Sequence, residues 1–276
     1  MKTFVFFSLL ILVVLPFIIY LMIKPTKPTL QQVKPFLHRN IAHRGFHSKD
    51  KTIPENSMQA FRLAVENNYG IELDLQYSKD FKIVVFHDET LERICGVPGR
   101  VDEYTYDELQ QFQLCGQNET IPLFSDVLEM VDGKVPFIIE LKHCRNNSRL
   151  CEEVYRMLKD YKGDYCIESF NPLIVRWFKK HAPHIYRGQL SSTCHDLKQS
   201  APLTLVFWLA LCLTNFLSRP NFIAYNKTHT PLTVKIAHSL GAVPVVWTVR
   251  NKDDIKHLET KNKTVIFEFY QPASKY

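Results

Sequence analysis

The sequence predicts an α/β chain, a (β/α)8 (TIM) barrel preceded by one apolar N-terminal helix. Three observations point there. Apolar runs alternate with amphipathic stretches along most of the chain, and that alternation argues for a parallel sheet with helical crossovers. The runs number close to eight, and 276 residues suit a single barrel. Several runs end in polar or charged residues, which is how a barrel assembles a site at its strand ends.

Residues 4–23 are almost wholly apolar, interrupted by Ser8 and Pro16. A run of ~20 residues spans a bilayer, and a membrane helix tolerates proline. A cleaved secretory signal is the alternative. The following Lys24-Pro25-Thr26-Lys27-Pro28 offers no small-residue cleavage site, which favours an uncleaved anchor. Lys2 precedes the run, whereas Lys24, Lys27, Lys34 and Arg39 follow it. The positive-inside bias then predicts a cell-membrane protein with a single pass and a cytoplasmic catalytic domain. The expected organisation is an anchor over 1–24, a linker over 25–40 and a barrel domain over 41–276.

The barrel elements follow in order. Residues 41–45 read as a strand feeding a loop. Residues 57–67 read as a helix with a broad apolar face, capped by Asn56 or Ser57. Gly70 opens the strand that bears Glu72 and Asp74, and 81–87 is a second extended run. Residues 91–120, with Gly96, Pro98, Gly99 and Gly116, break the rhythm. They read as a small insertion after the second βα unit, with a short helix near 106–112. The rhythm then resumes. Strands are expected near 135–141, 164–168, 185–190, 222–225, 243–249 and 264–267. Helices are expected near 125–131, 149–161, 171–181, 231–240 and 252–259. Residues 202–217 are strongly apolar but short for a spanning helix. They are either an outer helix buried on the barrel or an interfacial helix at a bilayer.

Composition narrows the function. Hydrophobic residues make up 46% and charged residues 22%, the balance of a folded protein. Net charge is +6 with no long basic block, so no nucleic-acid partner is expected. Seven cysteines without zinc-like spacing fit a reducing compartment. Asn118, Asn146, Asn226 and Asn262 each open a glycosylation sequon, which matters only in a secretory lumen.

The chemistry gathers in 41–88. Glu72 and Asp74 are two apart, so on a strand they share a face. They repel unless a positive group lies between them, and a hard divalent cation is the natural candidate. Glu140 and Lys142 repeat the spacing at the end of an apolar run, and Trp247 closes a later one. His43 and His87 are candidates for acid–base work, because imidazole titrates near neutrality.

The motifs His43-Arg44-Gly45, Pro54-Glu55-Asn56, Glu72-x-Asp74, His87-Asp88, Glu140-x-Lys142, Ser169-Phe170-Asn171 and Trp247-Thr248-Val249 run in that order. From His43 to Arg250 the chain resembles the glycerophosphodiester phosphodiesterase family. The resemblance implies a metal-dependent barrel enzyme that hydrolyses glycerophosphodiesters to glycerol 3-phosphate and an alcohol. It implies Glu72, Asp74 and Glu140 as ligands of Mg2+ or Ca2+, with Arg44 and Lys142 gripping phosphate oxygens. His43 would be the base and His87 the acid, an order the residues by themselves leave open. Trp247 would pack on the glycerol backbone, and Glu55 would fix neighbouring polar groups. The insertion would cap the site.

The chain departs from the family at its end. A Gly-x-Asp-Gly turn and a closing Thr-Asp-x-Pro are expected, and Lys261-Asn262-Lys263-Thr264 and Glu268-Phe269-Tyr270-Gln271-Pro272 stand instead. One side of the substrate pocket is therefore expected to differ. A lysophospholipase D acting on lysophospholipids keeps the chemistry and changes the substrate, and the N-terminal apolar run and residues 202–217 fit it. A non-catalytic lipid- or phosphate-binding barrel would be expected to lack an acid, a histidine or a ligand, and this chain retains them.

Overall fold

The computed structural model describes residues 2–198, 201–250 and 264–272. Among these, nine strands form one sheet. They are β1 (Arg39–Ala42), β2 (Gly70–Tyr77), β3 (Ile83–Val85), β4 (Phe137–Leu141) and β5 (Tyr165–Ser169), then β6 (Arg187–Ser191), β7 (Phe222–Asn226), β8 (Val243–Val249) and β9 (Thr264–Phe267). Their order is β1-β9-β8-β7-β6-β5-β4-β2-β3, and β1 also pairs with β2, which closes the sheet. β3 alone is antiparallel, to β2. The remaining eight strands are parallel and make the barrel expected from the alternation.

Closure puts one face of every strand inside, and a period of two decides which side chains go there. Ile71, Leu73, Leu75, Ile139, Leu141 and Ile167 lie in the outer core. There they meet Phe61 of the helix Met58–Glu66, Phe124 of Phe124–Val131, Leu150 of Asn147–Leu158 and Phe178 of Pro172–His181. Ile41, Ile138, Cys166, Phe222, Ala224 and Ile266 fill the interior. The residues between the outer set are then committed to the inside, among them Glu72, Asp74, Glu140 and Glu168.

The helices begin where side chains satisfy free amides. Ser57 Oγ accepts from Ala60 N at 3.1 Å, so Ser57 rather than Asn56 is the cap. Asn146 and Asn171 cap Asn147–Leu158 and Pro172–His181 in the same way, the latter ahead of Pro172. The extended run at 81–87 contracts to β3, which pairs antiparallel with β2 over three residues. Residues 91–120 fall inside the second unit, between the β2–β3 hairpin and the helix Phe124–Val131. They carry the one-turn helices Glu92–Cys95 and Tyr106–Leu109 over a small core of their own that includes Leu91, Val101 and Leu114. The helix expected near 252–259 lies outside the described residues.

Two other expectations change. Residues 25–40 are not a free linker. Val33 and Phe36 are buried in the interior cluster with Ile41 and Ile138, and Thr264 Oγ1 donates to Phe36 O at 2.9 Å. The apolar side chains in this segment find a better environment in the barrel than in water. Residues 202–217 are not one helix but Leu203–Ala210 and Asn215–Ser218, joined by turns. Val206 and Ala210 face inward, while Phe207 is 56% and Trp208 43% exposed. The N-terminal helix runs Lys2–Ile23 and is 22 residues long. Its end docks on the barrel: Ile23 is buried with Ile223 and Val234, and Arg219 donates to Leu21 O and Lys24 O at 2.7 and 2.8 Å. With side chains described from Ile11 onward, no helix among the described residues is long and apolar enough to cross a membrane.

Gly188 on β6 tests the packing of the interior. A Cβ there would lie 2.0 Å from the Phe222 ring, which is fully buried and has nowhere to move. Overpacking of this kind costs ~2 kcal/mol. Gly188→Ala is therefore expected to lower the thermal unfolding midpoint by several degrees, measured by circular dichroism. An unchanged midpoint would mean that the ring is not confined.

Candidate active site

The inward residues at the carboxyl ends of β1, β2, β4, β5 and β9 form one belt. The ladder sets Asp74 beside Glu140 and Glu140 beside Glu168. It also pairs Ala42 with Ile71 on one side and with Phe267 on the other. One step further along, His43 stands between Glu72 and Glu268. His43 Nε2 is 3.9 Å from Glu72 Oε2, and His43 Nδ1 is 3.4 Å from Glu268 Oε1.

Glu72, Asp74 and Glu140 are all buried, and one oxygen from each lies within 4.8 Å of the others. These hard oxygen donors suit a divalent cation of the magnesium or calcium type. Lys142 Nζ reaches Asp74 Oδ1 at 3.1 Å and Glu140 Oε1 at 2.9 Å. Asn56 Nδ2 donates to Asp74 Oδ2 at 2.9 Å, and the Arg44 amide donates to Glu72 Oε2 at 2.9 Å. Burial and the flanking Asp74 and Glu140 push the Glu72 carboxyl well above its ordinary value. Burial would raise Asp74 too, but Lys142, His87 and Arg44 hold it well below. The set is therefore a place where positive charge is needed to ionise every member.

A second network positions the cations. Arg44 Nη1 binds Glu55 Oε1 at 2.6 Å, and Arg44 Nε lies 3.6 Å from Asp74 Oδ2. Glu55 also accepts from both terminal nitrogens of Arg93, at 2.8 and 2.7 Å. Burial opposes its ionisation, yet the two guanidinium groups hold its pKa down at about 2. Arg93 Nε then reaches Asp88 Oδ2 at 2.5 Å, and Asp88 Oδ1 sits 2.6 Å from His87 Nδ1. Gln76 Nε2 donates to the backbone oxygens of Phe86 and Asp88, which fixes the loop that carries His87.

The structure thus brings together His43, Arg44, Glu72, Asp74, His87, Glu140 and Lys142, with Glu55 behind Arg44. Trp247 stands apart from the ion pairs. It packs edge-on against Phe170 at 5.8 Å between centroids, and its buried Nε1 lacks a hydrogen-bond partner. Residues to which the sequence assigned no role at the site also belong here. Asn56 and Arg93 hold ligand and loop, and Glu268 meets His43 from the altered terminal segment. Glu168 is 1% exposed with Oε2 unpartnered. Burial, Glu140 and Asp74 push its pKa well above the ordinary range. Its signal was available, since it follows Cys166 by two on an apolar strand.

The family model of the glycerophosphoryl diester phosphodiesterases matches residues 43–269. The chain belongs to this family. A glycerophosphodiester phosphodiesterase of Caldanaerobacter subterraneus is 29% identical over 231 residues, covering 79% of this chain and 88% of its own. A human lysophospholipase D is 31% identical over 160 residues, 53% of this chain and 49% of that protein. An Oleispira antarctica phosphodiesterase, solved with the product sn-glycerol-3-phosphate, shares the fold. Its TM-score is 0.69 at 23% identity, covering 84% of this chain and 94% of that one. This member of the family is an enzyme, a phosphodiesterase of glycerophosphodiesters. In it, burial and the adjacent Arg44 lower the His43 pKa from 6.5 to about 4, against the pull of Glu268. His43 is accordingly neutral at neutral pH, the form a base requires. A cation at the carboxylates acts in the same direction as Arg44. At saturating metal the acid limb of kcat/KM is expected to fall below 6.5, the ordinary histidine value. A limb at or above that value would remove His43 from the role of base.

Proposed function

We propose that this enzyme cleaves glycerophosphodiesters with Mg2+ or Ca2+ held by Glu72, Asp74 and Glu140. The observation that carries the reading is the convergence of three buried carboxylates, two histidines and two cations on one end of the barrel. When bound, the cation supplies Lewis-acid polarisation of a phosphate oxygen and of the glycerol hydroxyl. Arg44 offers a fork to the phosphate oxygens, and Glu55 holds that fork in place. Lys142 adds a point charge beside Asp74 and Glu140.

His43 takes the proton of the glycerol 2-hydroxyl as its oxygen attacks phosphorus. The bond to the leaving alcohol breaks, and His87 gives that oxygen a proton. Asp88, bound to His87 Nδ1, stabilises the imidazolium before transfer. Water then opens the cyclic phosphate with the two roles reversed, leaving glycerol 3-phosphate. Trp247 and Phe170 form the apolar wall for the glycerol carbons.

Excess EDTA and Glu72→Ala are each expected to abolish turnover. His43→Ala and His87→Ala are each expected to cost ~100- to 10,000-fold while the protein stays folded. A nitrophenyl phosphodiester, whose leaving group needs no acid, should rescue only His87→Ala. Rescue of both variants or of neither would overturn the assignment, and full activity in EDTA would overturn the metal.

A lysophospholipid is the second substrate reading, favoured by the exposed Leu203, Phe207, Trp208 and Phe216. Residues 4–23 supply the membrane anchor in that reading, with the catalytic domain cytoplasmic, and the apolar patch meets the bilayer. Rates on glycerophosphocholine and lysophosphatidylcholine separate the two substrates. If the patch delivers lipid, Phe207→Asp combined with Trp208→Asp should slow only the second, by about tenfold or more. Equal slowing of both, or of neither, rejects lipid delivery. Removal of residues 1–18 should release the chain from membranes washed at high salt and alkaline pH. Release of the intact chain under that wash rejects the anchor.

A further inference from the structure

We infer that His43 Nδ1, His47 Nε2 and Glu268 Oε1 form a second metal site, of zinc type, beside the carboxylate site and separate from it. The three ligand atoms lie within 4.8 Å of one another. Glu268 Oε1 is 3.4 Å from His43 Nδ1 and 3.2 Å from His47 Nε2. Two ligands of tetrahedral zinc, each ~2.05 Å from the metal, are ~3.3 Å apart. Both observed separations match that edge. Neither contact is a well-aligned hydrogen bond, although both nitrogens are buried against Glu268 Oε1. Two poorly aligned contacts to one carboxylate oxygen are weak, and a shared metal would engage all three atoms at once.

The donor set separates this site from its neighbour. Two imidazoles and a carboxylate suit zinc, whereas Glu72, Asp74 and Glu140 offer only hard oxygens. The supports of the ligands are also in place. Arg250 Nε holds Glu268 Oε2 at 2.5 Å, which leaves Oε1 facing the imidazoles. The Phe269 ring meets His47 edge-on at 5.0 Å and fixes its plane. The backbone brings His47 back to β1 through a tight turn at Gly45, whose φ is +79°. A cavity of about 220 Å3, lined by His43, His47, Arg250 and Glu268 among others, gives a route for entry. The repulsion expected from Arg44 is reduced, because Glu55 and Asp74 already engage that guanidinium.

The consequence is inhibition, and this part rests on His43 being the base. A neutral imidazole has one nitrogen with a free lone pair. Coordination at Nδ1 uses it and leaves Nε2 carrying the proton, on the side that faces Glu72. His43 then donates where it must accept, and the first proton transfer is blocked although the magnesium or calcium site stays filled.

The test uses the full chain saturated with Mg2+ and titrated with Zn2+ by equilibrium dialysis, with zinc K-edge X-ray absorption on the first equivalent. The expected result is one zinc with a nitrogen and oxygen shell. His47→Ala and His47→Asn, each checked for folding by circular dichroism, should bind it at least tenfold more weakly. Both should keep zinc-free hydrolysis of glycerophosphocholine within about threefold of wild type and resist zinc inhibition. A first equivalent bound through sulfur overturns the site, as does zinc affinity unchanged in both variants. Equal inhibition of wild type and variants places zinc at the carboxylates and also overturns it. Should the wild-type chain hydrolyse no glycerophosphodiester, the functional reading fails, while dialysis and absorption still decide the metal site.

Discussion

Buried carboxylates facing one another across a closed parallel barrel are the constraint on which this structure depends. Asp74 and Glu140 are neighbours on adjacent strands, and Glu72 lies within the same 4.8 Å group. Charges that close in a dry interior repel strongly, so the arrangement needs cations to persist. Lys142 and Arg44 supply part of that charge from the protein. The same positive groups are suited to hold a phosphodiester. Stability of the belt and recognition of an anionic substrate are therefore met by one set of side chains, and a divalent ion completes both.

The supporting shell is unevenly distributed along the chain. The strands contribute ligands through their alternation, but orientation comes from elsewhere. Asn56, at a positive φ of 54°, turns its amide onto Asp74 from the loop after β1. Arg93 comes from the segment 91–120 and ties Glu55 to Asp88, linking the phosphate-gripping arginine to the loop of the second histidine. That segment has its own apolar core, so it is a folded support and not a passive excursion. The terminal segment does the corresponding work for the first histidine, through Glu268.

The motif departure at 268–272 takes on a definite meaning here. A glutamate in place of the family's pattern reaches the Nδ1 side of His43, while Arg250 engages its other oxygen. Two histidines then share one carboxylate oxygen. This corner, away from the ligands that the ladder holds in register, is where the chain departs from the family pattern.

Local pattern determined much of this protein in advance. Period-two alternation decided that Glu72, Asp74 and Glu140 point into the barrel, because the apolar residues between them must face the helices. The pair Asn56 and Ser57 marked the start of the first barrel helix, since free amides there need an acceptor. Only tertiary structure decided the rest. Val33 and Phe36 turned a segment that reads as linker into part of the interior, because burial of their side chains depends on where the barrel closes. Glu268 belongs to the site through strand order, and Arg93 through the packing of segment 91–120, each joining residues far apart in sequence. The exposure of Phe207 and Trp208 was undecided by composition, since a buried and a surface helix can have the same apolar residues. Which face meets the barrel is settled by neighbours, and here Val206 and Ala210 take it.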